Sequence, residues 1–169
     1  MVDRYLITTA DESTWPIEKP VVFLGEWCKR YSRRKQWEKL DFETVKFHWD
    51  DRFKLKQDFD YLQEIYEEIL EELAIKLNEF HKVNYSLRYW RIIIGPWLGY
   101  FIQILFDRWT MLNQGIKLHD IDCCIVLDRE INEFVPNDML HFNKLISLDM
   151  WNEIIYGQIL SEYLSEKIK

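Results

Sequence analysis

Carboxylate, imidazole, hydroxyl and guanidinium groups gather in four short blocks of this sequence: Thr8-Thr9-Ala10-Asp11-Glu12, Gly25-Glu26-Trp27-Cys28, His48-Trp49-Asp50-Asp51-Arg52 and Ser86-Leu87-Arg88-Tyr89-Trp90-Arg91. Glu26 is of the type that takes a proton from a substrate hydroxyl, and apolar surroundings raise such a carboxyl toward working pH. The same carboxylate at a helix start satisfies free backbone donors instead. His48 with Asp50 offers an imidazole base and a carboxylate to fix its tautomer, while Asp50 or Asp51 could equally cap the next helix. Thr8, Thr9 and Asp11 suit sugar hydroxyls or make ordinary turn chemistry. Arg88 and Arg91, three residues apart on one helical face, can hold a phosphate or carboxylate, or pair with the acids of the preceding helix. Trp27 and Trp90 stand beside these groups as substrate-facing aromatics with a polar handle. The His-x-Asp pair lacks further ligands, so no metal is expected. No dinucleotide or Walker phosphate-binding sequence is present.

These blocks need elements to position them. Short apolar runs near 4–9, 20–25 and 44–48 read as strands, and each ends in one of the first three polar blocks. If the strands are parallel neighbours, those blocks share the carboxyl edge of the sheet, where open α/β sheets bind ligands. The first connection is tight for a full crossover helix. A fourth strand, buried on both faces, is expected at 121–127. A basic helix is expected at 26–39. A long helix near 55–82 follows from Leu62, Ile65, Tyr66, Ile69, Leu70, Leu73, Leu77 and Phe80 recurring at three- and four-residue steps. Ser86 caps a second long helix near 87–113, with a kink or break at Gly95-Pro96. Pro136 at a first helical position starts a helix through about 146, and a last helix spans about 149–166. Gly157 inside it implies a close approach. The fold class is α/β: helix-rich, with a small, mostly parallel sheet of about four strands flanked by long helices, forming a single domain over residues 1–169.

The composition is globular, with 48% hydrophobic and 30% charged residues. The 8 Trp, 9 Tyr and 10 Phe exceed what a core needs, so part of this excess is expected to line a cleft. A net charge of -7 disfavours nucleic acid as a partner. Lys29, Arg30, Arg33, Arg34, Lys35 and Lys39 nevertheless form a basic stretch suited to phosphate or an anionic lipid surface, or simply to solvent. The 3 cysteines form neither a disulfide framework nor a zinc motif and fit a reducing, cytoplasmic setting. The apolar run 92–106 is too short to span a bilayer and reads as a buried helix, with interfacial membrane contact as the alternative. His81, His119 and His141 stand isolated and read as structural or exposed.

The blocks Arg4-Tyr5-Leu6-Ile7-Thr8-Thr9-Ala10-Asp11-Glu12, Phe23-Leu24-Gly25-Glu26-Trp27-Cys28, His48-Trp49-Asp50-Asp51-Arg52, Ser86-Leu87-Arg88-Tyr89-Trp90-Arg91-Ile92 and Trp151-Asn152 with Ile155-Tyr156-Gly157 span nearly the whole chain. In them the sequence resembles the start of a bacterial transferase family associated with surface-polysaccharide (O-antigen) biosynthesis. The resemblance implies a much longer protein whose later part is the nucleotide-sugar half of a two-domain glycosyltransferase. This chain would then be the acceptor-side region, inactive alone. It would receive a sugar or lipid-linked glycan acceptor, with peripheral contact at the inner membrane surface and no cofactor beyond the nucleotide-sugar donor of the full-length protein. Glu26 or His48 would take the acceptor proton, and Arg88 and Arg91 would hold an anionic group. The alternative is a non-catalytic protein-binding or scaffolding module. The oligomeric state is not encoded in any feature of the sequence.

Overall fold

The computed structural model describes residues 3–16, 18–127 and 135–164. The chain divides into two compact units. Unit 1 comprises Met1–Phe47 and Arg108–Lys169, and unit 2 comprises His48–Asp107. The strands are β1 (Tyr5–Ile7), β2 (Val21–Phe23), β3 (Phe42–Thr44) and β4 (Cys123–Cys124). The described helices are α1 (Arg34–Trp37), α2 (Arg52–His81), α3 (Leu87–Ile93), α4 (Gly95–Leu118), α5 (Met139–Leu145) and α6 (Asp149–Tyr163).

Unit 1 carries the sheet. Its order is β3-β2-β1-β4 and every pairing is parallel, so the helix-rich α/β class read from the sequence is the observed one. Val21, Val22 and Phe23 are all buried, as a parallel strand covered on both faces requires. Their core includes Leu6, Ile7, Leu24, Met111, Leu112, Tyr156 and Leu160. β1 and β2 are parallel although the described residues between them hold only a 3-10 turn, Glu12–Thr14. That connection is about the dozen residues a parallel return demands.

Several expected boundaries move. The third strand lies at Phe42–Thr44 rather than 44–48, because the ladder pairs Val21 with Phe42 and Phe23 with Thr44. Val45 adds one more bond, to the Phe23 carbonyl at 2.9 Å, and a 3-10 turn then begins at His48. The fourth strand keeps only Cys123–Cys124, with Ile125 and Val126 exposed. Among the described residues it is an edge strand paired to β1 alone, and an edge lacks the second neighbour that would bury it. The expected helix at 26–39 is instead two 3-10 turns, Glu26–Cys28 and Tyr31–Arg33, and the single turn of α1. Within it Trp37 folds back so that its indole N–H donates to the Arg30 carbonyl at 2.9 Å. Pro136 precedes α5 rather than opening it. Asp138 is the N-cap, accepting from the His141 amide at 2.7 Å. α6 matches the expected last helix up to Tyr163, and positions 165–166 lie outside the described residues. Gly157 has the close neighbour its sequence position implied. A Cβ there would stand 2.5 Å from a Val126 methyl.

Unit 2 is helical. Asp51 caps α2, accepting from the amides of Phe53 and Lys54 at 2.9 and 3.2 Å. Leu62 and Leu70 pack with Leu98 and Ile102, and Ile65, Tyr66, Ile69 and Leu73 pack against that cluster. Phe80, counted in the expected stripe, is exposed, with its ring edge-on to His81. The expected break falls between Ile93 and Gly95. Pro96 then sits in the first turn of α4, where its missing donor costs nothing. The run 92–106 is not wholly buried, since Ile92, Ile93 and Tyr100 face solvent. No described helix is long and apolar enough to cross a membrane.

The two ends of α2 give opposite predictions. Asp51→Ala removes a cap that serves two amides and should cost about 1 kcal/mol. Lys82 closes the helix with φ 54, a left-handed conformation that glycine adopts without a Cβ penalty. Lys82→Gly should therefore raise stability by about 1 kcal/mol. Urea unfolding midpoints that both fell would contradict the Lys82 assignment, and midpoints that both rose would contradict the Asp51 cap.

Candidate functional site

The carboxyl edge of the unit 1 sheet is built around the end of β1. Beyond Ile7 the chain turns through Thr8 and Thr9, both buried, and neither hydroxyl can reach water. Each donates to the same carboxylate oxygen of Glu153 on α6, Thr8 at 3.0 Å and Thr9 through a shorter bond. Glu153 is 1% exposed. Burial pushes its carboxyl above the ordinary glutamate value, while the Thr9 and Thr8 hydrogen bonds pull the other way.

Trp27 ties the second strand's turn to the first. Its indole N–H donates to the Thr8 carbonyl at 2.9 Å, and its ring covers Gly25 so closely that a Cβ there has no space. Glu26, in the same turn, points outward with 81% of its side chain exposed, and Lys29 donates to it at 2.9 Å. Cys28 is enclosed, and burial pushes its thiol up to about 12, which makes it a poor nucleophile.

Beside this edge lies a cleft of about 480 Å³ lined by Asp11, Glu12, Ser13, Arg30, Arg33 and Asp149, among others. Its ions are arranged in pairs. Arg33 grips Glu12 with two bonds of 2.8 and 3.0 Å, and Arg30 pairs with Asp149. Asp11 accepts from the backbone and hydroxyl of Ser13 at 3.0 and 2.7 Å. The cleft thus presents fixed donors and acceptors side by side, a pattern that suits hydroxylated groups. Among the described residues no three His, Cys, Asp or Glu side chains converge as metal ligands.

The remaining sequence candidates lie in unit 2. His48 is enclosed, with its Nε2 3.0 Å from Asp107 and its Nδ1 3.7 Å from Asp58. Its carboxylate partners are therefore not Asp50, which is exposed at the end of the same turn. Arg91 takes the second of its two alternatives and holds Glu67 of α2 bidentately at 2.6 and 2.5 Å. Arg88 is exposed. Trp90 is buried, donating to Asn78 at 3.0 Å. The other histidines are less isolated than their spacing implied. His119 meets Glu43 at 2.7 Å, and the His81 ring stacks on Trp90.

Sequence reading missed Glu153, Arg30, Arg33 and Asp149 as members of one edge. Arg30 and Arg33 stood only within a charge run. Glu153 and Asp149 carried no local signal, because they reach β1 and the basic turn from over a hundred residues away. The one available hint was an acidic residue on the apolar face of the last helix, between Trp151 and Ile154.

Glu153 makes the stability of unit 1 depend on pH. A carboxyl raised on folding contributes stability that is full below its unfolded value, 4.5, and is lost as pH rises through the folded value. Glu153→Gln keeps an oxygen for both hydroxyls and never ionises. Subtracting its denaturant-unfolding curve from wild type should leave a wild-type deficit that grows as pH rises above 4.5. Parallel curves would show that the carboxyl titrates normally. Glu153→Ala strands the hydroxyls and should cost about 1–3 kcal/mol per group left unpaired.

No curated protein and no solved structure matches the chain. A family model does: that of the LIC12162 family transferase, over residues 4–169. With that match running from the first residue of the β1 block through α6, the chain belongs to the LIC12162 transferase family.

Proposed function

We propose that the chain is the acceptor-side part of a glycosyl-type transferase in bacterial cell-surface polysaccharide biosynthesis. The observation that carries the reading is the paired-ion cleft at the carboxyl edge of a parallel sheet, in a chain of transferase family. The strand order β3-β2-β1-β4 reverses direction at β1, and open α/β sheets bind ligands outside such a reversal. The cleft lies against the segment that leaves β1.

In this scheme sugar hydroxyls of the acceptor bond Asp11, Glu12 and Asp149, while Arg33 orients Glu12 and Arg30 orients Asp149. Glu26, on the adjoining strand's turn, takes the proton of the attacking hydroxyl. The hydroxyl oxygen forms its bond to the donor's anomeric carbon as the bond to the nucleoside diphosphate breaks and the diphosphate leaves with the electron pair. The nucleotide-sugar donor comes from a donor-binding half joined to this chain. The exposed Arg34, Lys35 and Lys39 face the diphosphate of a lipid-linked acceptor, or the anionic lipid around it, at the inner membrane surface.

A second reading draws on unit 2, where Phe53, Phe59, Ile75, Phe80, Ile92 and Ile93 are exposed. So much apolar surface favours a module that docks a protein partner. Two substitutions separate the readings when made in the full-length family protein and assayed with a panel of nucleoside diphosphate sugars and a lipid-linked saccharide. Glu26→Gln is expected to lower turnover about 10²–10⁴-fold. Arg33→Ala is expected mainly to raise the KM for acceptor. Wild-type transfer in both variants would leave the docking reading standing.

A further inference from the structure

Unit 2 holds a second cleft, of about 420 Å³, lined by Gln63, Tyr66, Arg91, Gly95, Pro96, Gly99, Tyr100 and Gln103. That volume falls within the ~300–1,000 Å³ of small-molecule sites. We propose that this cleft binds one uncharged pyranose unit of a saccharide. The assignment stands on unit 2 alone and is independent of the acceptor cleft.

The floor is made by two glycines. Gly95 and Gly99 lie four residues apart on one face of α4, and Tyr66 of α2 rests over them. A Cβ on Gly95 would stand 2.5 Å from the Tyr66 hydroxyl, and one on Gly99 3.8 Å from its ring. The phenol therefore occupies the space a side chain would take at Gly95, while Gly99 leaves room beside the ring. Tyr100, half-exposed at 54%, adds a second aromatic ring to the lining. The electron-rich face of a ring suits the axial C–H groups of a pyranose.

The polar lining is bifunctional and neutral. Gln63 and Gln103 each carry one carbonyl acceptor and two amide donors, and among the described residues neither side chain has a protein partner. Hydroxyls that both donate and accept are what such carboxamides match. Arg91 is the one cation among the described lining residues, and it is already committed. Glu67 holds it bidentately, and the guanidinium lies 5.8 Å from the centre of the Tyr66 ring. That pairing holds the Glu67 carboxyl below the ordinary glutamate range. Two charges so paired leave nothing over for an ionic ligand. An anion would also meet the net negative charge of α2. A free cation would meet Arg91 over the ring it would otherwise occupy.

The test is side-chain NMR on the whole chain, following the Gln63 and Gln103 amide groups and the Tyr100 ring. The probes are methyl glucopyranoside, methyl galactopyranoside and methyl N-acetylglucosaminide, with inorganic phosphate and choline as charged controls. At least one pyranoside should give saturable shifts confined to these side chains, with a Kd in the millimolar range. Tyr100→Ala should weaken it about fivefold to tenfold, the size of one aromatic contact. Gly99→Ala adds a methyl to the floor with an ordinary contact to Tyr66 and favours the helix, so it should fold normally and still lose binding. No saturable shift with any pyranoside would overturn the proposal, as would binding that survives both variants. So would tighter binding of phosphate or choline than of every sugar. Arg33→Ala, in unit 1, should leave these shifts unchanged, so failure here and failure of the acceptor cleft read out separately.

Discussion

A strand of three residues at the centre of a sheet must be completed by side chains, and that constraint organises unit 1. β1 is paired on both sides, yet its ladder ends at Ile7, and the next two residues are still buried. Buried hydroxyls and carbonyls there need partners or they cost free energy. Glu153 meets both threonine hydroxyls, Trp27 meets the Thr8 carbonyl, and the Leu24 amide meets the Ile7 carbonyl at 2.8 Å. The consequence is spatial. α6 must lie where Glu153 can reach β1, and that placement brings Asp149, one turn earlier, to Arg30. Satisfying the end of one strand thus also assembles one wall of the cleft.

Unit 2 solves a different problem with the same means. A 30-residue acidic helix repels itself, and it gains from partners that supply positive charge along its length. Lys54 reaches Asp58 at 2.5 Å, and Arg91 reaches Glu67. The enclosed His48, between Asp107 and Asp58, fixes the turn that leads into the Asp51 cap. Its imidazole is sealed from solvent between the two carboxylates.

How much of this was legible follows from the range of the interactions. The long helices, the Ser86 cap, the break at Gly95-Pro96 and the parallel class are written locally, in periodicity and punctuation. Register is not local. The third strand slid to Phe42 because its partner Val21 set the pairing, and nothing in residues 42–48 says which end pairs. The site was half legible for the same reason. Thr8, Thr9, Asp11 and Trp27 were visible as a polar strand end. Glu153, which completes that end, sits on a helix whose own pattern gives no reason for a carboxylate among Trp151, Ile154 and Tyr156.

The tryptophans show how a residue type can be noticed and its use misread. Their abundance suggested a cleft lining, because an indole offers a flat apolar face. The structure employs several of them for the N–H instead. Trp27 bonds the Thr8 carbonyl, Trp37 the Arg30 carbonyl, Trp49 the Asp58 carboxylate and Trp90 the Asn78 side chain, all at 2.9 to 3.0 Å. Each of these rings also buries surface against a strand end, a helix start or a turn. A chain with short strands and few glycines has little regular ladder to hold its connections. An indole anchors such a connection twice, by area and by one directed bond. The aromatic excess and the brevity of the strands are then one feature: where the backbone ladder stops early, tryptophan takes over the task of fixing the chain.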